Sequence, residues 1–157
     1  MNRPPNEPFE PLRDAEARFR LRRHRAEEAV VDAAVLLLTA GVDTPELAIV
    51  AGDDRADHGE LELDLDRALV ALELERLTVQ MAGLRLAIPI AREIVAGQGD
   101  LRAAAQELWE LWLAADEPEQ LNDLAITADG FVDVPEYISL DALREAASRF
   151  LDQAPTG

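Results

Sequence analysis

From residue 12 to residue 40 the chain steps by three and four through positions 12, 15, 19, 22, 26, 29, 33, 36 and 40. These read Leu, Ala, Phe, Arg, Ala, Ala, Ala, Leu and Ala. Such spacing follows the helical period and puts one face of a helix against a core. Val30 and Leu37 widen the stripe, and Gly41 stands just past its end, where helices usually stop. The pattern predicts one long N-terminal helix from about Pro11 to Ala40. At about 1.5 Å per residue it would run roughly 40 Å, more than a small core requires, so its first half is expected to project.

The rest of the chain reads in the same vocabulary. Asp43-Thr44-Pro45 places a capping side chain before a proline, which predicts a short helix over 46–51, stopped by Gly52. Residues 53–60 form a polar acidic loop. Leu61, Leu63 and Leu65 alternate with acids as a half-buried strand would, yet Leu65, Ala68, Leu69 and Leu72 fit a helical face, and 61–76 is read mainly as helix. Further helices are expected over 78–96, kinked at Pro89, and over 101–115, capped by Asp100. In the latter, Leu101, Ala105, Leu108, Trp112 and Ala115 share a face, which places Trp109 or Trp112 in the core. Pro118 opens a helix to about Ala128, Gly130 to Tyr137 reads as a turn-rich connection, and Ser139 caps a last helix over 140–153. The expectation is an all-α fold, a single-domain bundle of about six helices over 11–153. Residues 1–10, with Pro4, Pro5 and Pro8, and residues 154–157 read as tails.

Composition excludes several classes. Among 157 residues there is no cysteine, which removes disulfides, zinc–thiolate sites and thiol catalysis. No apolar run approaches the roughly 18 residues of a membrane span, and no secretory signal opens the sequence, so a soluble cytoplasmic protein is expected. Aromatic residues are only 4% of the chain, so Leu and Ala must fill the core. All fifteen cations are Arg, and the net charge is −17. That charge is unevenly placed. Residues 1–25 hold seven Arg against four acids, a net of +3, while residues 26–157 hold eight Arg against 28 acids, a net of −20. The acidic body repels nucleic acid and anionic membranes; the basic segment alone could attract either.

Candidate sites are few. The loop 53–60 lacks the calcium-loop pattern, because Arg55 or Ala56 falls where an oxygen ligand is needed. Asp57, His58 and Glu62 carry transition-metal donors, but a solvated loop is the better reading. No Gly-x-Ser-x-Gly, Walker, Gly-x-Gly-x-x-Gly or His-Glu-x-x-His pattern occurs, so neither a catalytic group, nor a metal, nor a cofactor is assigned. The cluster Arg18, Phe19, Arg20, Arg22, Arg23 and Arg25 is the one stretch resembling a contact for an anionic partner. It is assigned, together with acidic Asp53, Asp54 and Asp57, to partner binding. Within the cluster, Asp14–Arg18, Glu16–Arg20 and Arg23–Glu27 are spaced as i,i+4 pairs that would stabilise a solvated helix.

Two resemblances follow from particular residues. An Arg-rich start, Val31-Asp32-Ala33-Ala34, Leu36–Leu38, Gly41-Val42 and Leu47-Ala48 resemble the opening helices of tetracycline-repressor-type regulators. That family continues with a basic recognition helix, whereas here Asp53-Asp54-Arg55-Ala56-Asp57 follows, which a major groove would repel. Gly41-Val42-Asp43-Thr44-Pro45-Glu46-Leu47, with Ala105 to Trp112, is similar to a family of uncharacterised helical proteins of high-GC actinobacteria. That similarity implies a helical fold and no activity.

These readings converge on a non-catalytic, acidic helical module that binds protein. Its most concrete form is an immunity-type inhibitor masking a basic site on a toxin or nuclease. The alternatives are a DNA-associated regulator using the Arg-rich helix, and an enzyme with an unrecognised carboxylate site. Duplex DNA binding is not expected. Leu12, Phe19 and Ala26 recur every seven residues, a seam that a second copy of the chain would cover in a homodimer. The alternative is that the helix folds back along its own acidic body.

Overall fold

A computed structural model of the chain describes residues 7–154, apart from Ala56. Every regular element among the described residues is helical, with eight α-helices and two short 3-10 turns. The all-α class therefore holds, with eight helices rather than about six. Residues 1–6 and 155–157 of the expected tails lie outside the described residues. Glu7–Phe9 is a 3-10 turn that leads into the first helix.

The expected long N-terminal helix is two helices, α1 (Glu10–Arg20) and α2 (Ala26–Thr39). The Arg23 amide reaches back to the Arg18 carbonyl at 2.9 Å and the Arg22 amide to Phe19 at 3.1 Å. Arg22 itself adopts a left-handed conformation, φ 51°. This is the double reverse bond that ends many helices, with Arg where glycine usually stands. A side chain there costs about 1–2 kcal/mol. The stripe survives the corner because both helices turn it to the same core. Leu12, Phe19 and Ala26, the seam expected to await a second copy, are all buried within that core.

Contacts gather the chain into two compact units, divided between Thr78 and Val79. The first contains α1, α2, α3 (Pro45–Gly52) and α4 (His58–Ala71), each packed on the next. Thr44 caps α3 by accepting the Leu47 amide, and Asp57 caps α4 by accepting that of Glu60. Residues 61–65 are helical within α4, and the i,i+4 spacing puts Leu61 and Leu65 inside while Leu63 faces out. The core is closed by Val30, Leu37, Leu47, Val50 and Leu69.

The second unit contains α5 (Val79–Ala96), α6 (Leu101–Ala114), α7 (Asn122–Asp133) and α8 (Leu140–Gln153). They pack in sequence, and α8 returns against α5 to close a ring of four. Asp100 and Ser139 cap α6 and α8 as expected. Helix α7 starts later than expected, after a 3-10 turn at Glu119–Leu121, and runs through Gly130 to Asp133. Neither tryptophan enters the core. Leu108 and Leu111 hold the central positions of α6 while Trp109 and Trp112 are half-buried at its margin. The indole N–H of Trp112 donates to Asn122 Oδ1 at 2.7 Å, satisfying a polar group that a dry core would leave unpaired. Helices α5 and α6 approach so closely that a Cβ on Gly83 would collide with the Cβ of Ala115. Among the described residues, no helix is long and apolar enough to cross a membrane.

Candidate functional site

The arginine cluster divides into inward and outward members. Arg20 leaves α1 toward α4, its side chain 4% exposed, and pairs with Asp66 at 2.5 Å and with Glu62 and Glu16 at 3.4 Å. Glu16 is itself fully buried and accepts from Arg13 at 2.7 Å and from the Leu77 amide at 2.8 Å. Arg13 also donates to the Glu75 carbonyl, and Arg76 bonds Asp66 and Glu62 at 2.9 and 3.1 Å. The basic helix thus lies along acids of its own unit.

Phe19 is buried beneath the His58 ring, which stacks on it at 4.2 Å between centroids and 9° between planes. His58 Nδ1 lies 2.8 Å from Glu27 Oε1. That hydrogen bond, joined by one from the backbone, holds the Glu27 carboxyl below the usual carboxylate range. Arg25 pairs with Glu28 at 2.7 Å, and Arg18 and Arg22 are exposed. Phe19 and Arg20 therefore belong to the interior and its rim, while Arg18, Arg22 and Arg25 face solvent.

The three loop acids have separate positions. Asp57 caps α4, and exposed Asp54 lends its carbonyl to the Asp57 amide at 3.1 Å. Asp53, just after α3, meets Glu60 and Asp64 of α4, with carboxylate oxygens of all three within 4.8 Å of one another. Burial, then the neighbouring Asp64 and Glu60 charges, push the Asp53 carboxyl above its usual range. Asp53 Oδ2 is buried without a partner among the described residues. Three carboxylates are the donor chemistry of a hard cation. Here Arg67 lies 3.0 Å from Asp64 and supplies a positive charge at the edge of the cluster. Asp57, His58 and Glu62, the transition-metal candidates, are engaged with the Glu60 amide, with Glu27, and with Arg20 and Arg76.

The opposite face of α4 carries a feature that sequence reasoning missed. Leu63 and Val70 are 60% and 78% exposed. With Ala71 they line a shallow groove of 530 Å³, rimmed by Asp66 and Arg67 and by Glu46 of α3. The signal was present: Leu63 and Val70 are seven residues apart, off the face defined by Leu61, Leu65 and Leu69. Both units are acidic. The chain through Thr78 holds ten Arg and 18 acids, and the remainder five Arg and 14 acids.

No family model, curated protein or solved structure matches this chain.

Proposed function

We propose that the chain is a non-catalytic protein-binding module that presents an acidic surface with an apolar groove to a basic partner. The observation carrying this reading is the pair Leu63 and Val70, left in water on α4 between Glu46 and Asp66. Two large aliphatic side chains on one face of a helix gain free energy when a partner covers them. The net charge of −17 adds long-range attraction for a cationic protein and raises the encounter rate. An immunity-type inhibitor, masking a basic site on a toxin or nuclease, is the role that best fits this combination. The inward arginines add support from the other side, since a DNA-associated regulator would need Arg13 and Arg20 free of Glu16 and Asp66.

The test pairs capture with reconstitution. The chain and a Leu63→Asp, Val70→Asp variant serve as baits in the native extract, and retained proteins are purified and titrated against each. The expected result is a cationic partner whose affinity falls as salt rises and is lost with the variant. Retention of the same proteins by both baits, with equal affinities, overturns the reading.

A further inference from the structure

We infer that the groove between α1 and α2 is the interface for a second copy of this chain. This surface is separate from the Leu63–Val70 groove and does not depend on it. Its floor is small and apolar: Ala15 of α1, with Ala29 and Ala33 of α2, surround a depression of 220 Å³. Leu36, one turn beyond Ala33, lines the same depression and is 61% exposed. One patch thus carries both a projecting side chain and a hollow able to take one.

That combination meets the demand of a two-fold interface, in which the same surface must fit itself. The inferred two-fold seats each Leu36 in the other copy's alanine hollow. The charges on the rim are self-complementary as well. Arg18 borders the groove from α1, is exposed, and makes no ion pair among the described residues. Asp32 borders it from α2 with its side chain 56% exposed, and its pairing with Arg55 leaves it open to a further donor. The inferred two-fold pairs each Arg18 with the other copy's Asp32. The rim carries both signs, Arg18 beside Asp14 and Asp32, which suits a like chain. The net charge of the two copies opposes association at long range, and at about 0.15 M salt that repulsion is screened beyond about 8 Å while close pairs persist.

Solution mass by sedimentation, across a wide concentration range at that salt, reads the outcome. The wild-type chain should dimerise, and Leu36→Asp should weaken the dimer by roughly tenfold or more. Because Leu36 is largely exposed, the variant should keep its helical spectrum, which circular dichroism checks. A charge exchange makes the test independent of that variant. Arg18→Glu alone and Asp32→Arg alone should each be monomeric, and an equal mixture should form the mixed dimer, in which both rim pairs are restored. A wild-type monomer at every concentration overturns the inference. So does a dimer whose affinity Leu36→Asp leaves unchanged, or a mixture of charge variants that stays monomeric.

Discussion

Arg20 on α1 and Asp66 on α4 meet with nitrogen and oxygen 2.5 Å apart, bridging 46 residues of sequence. Around that contact Glu16, Glu62, Arg13 and Arg76 complete a network whose inner members are dry and whose outer members are wet. Position within the network sets what each pair contributes.

Arg20→Ala should destabilise the protein by about 1.5–3 kcal/mol, because buried Glu16 loses one of its three partners and Asp66 loses its inner one. Arg67→Ala removes a pair whose arginine is 68% exposed and should cost at most about 1 kcal/mol. Urea unfolding of the two variants checks the contrast. Equal losses would mean that the buried network is no more valuable than a surface pair.

Asp53 should make stability depend on pH in the sense opposite to an ordinary paired acid. Its folded carboxyl titrates above the unfolded value of 3.8, so the folded chain binds that proton more tightly. The resulting stabilisation is complete below 3.8 and is lost as pH rises through the folded pKa. At neutral pH the charged form, crowded by Asp64 and Glu60, works against folding. Asp53→Asn should therefore raise the melting temperature at about pH 7, with the gain shrinking toward about pH 4. Melting curves over that range decide it, and a lowered midpoint at neutral pH would refute the crowding.

Gly83→Ala should cost about 1–3 kcal/mol, since the added methyl collides with Ala115 across α5 and α6. Ala115→Gly opens space at the same point. The double variant should recover part of the loss, giving a coupling energy of about 0.5–3 kcal/mol. Strict additivity in guanidinium unfolding would show that the two helices do not share that contact.

Glu73→Gly should stabilise the first unit. Glu73 holds φ at 56° while its amide and that of Leu74 cap the end of α4. Glycine adopts this conformation without the Cβ penalty, which predicts a gain of up to about 1 kcal/mol after its greater unfolded-state freedom is counted. A fall in the unfolding midpoint would count against strain at this corner.

The corners also explain which parts of the fold could be read from sequence. Thr44, Asp100 and Ser139 announced helix starts because a short oxygen-bearing side chain has a specific task there. Gly41 announced an end, and it stands at positive φ. At Arg22, Glu73 and Asp116 the chain makes the same turn with residues that carry no such signal, so the first helix read as unbroken. The candidate site was less legible. The Arg18–Arg25 cluster was visible as charge, but Arg20 turns inward because Glu62 and Asp66 reach it from 42 and 46 residues away. No local pattern encodes that meeting. Leu63 was seen and placed with its neighbours, yet whether a leucine faces core or water depends on which side of α4 the other helices occupy.

The bond between Glu16 and the Leu77 amide gives the first unit an order of events. A ribosome delivers the chain from its N-terminus, so Glu16 emerges 61 residues ahead of the group that satisfies it. Until then its donors are Arg13 and Arg20 of the same helix. Helices α1 to α4 can form and touch during this interval, and the buried carboxylate gains its backbone donor only when the segment after α4 arrives. The first unit therefore completes this bond only once residue 77 is available, at its boundary with α5.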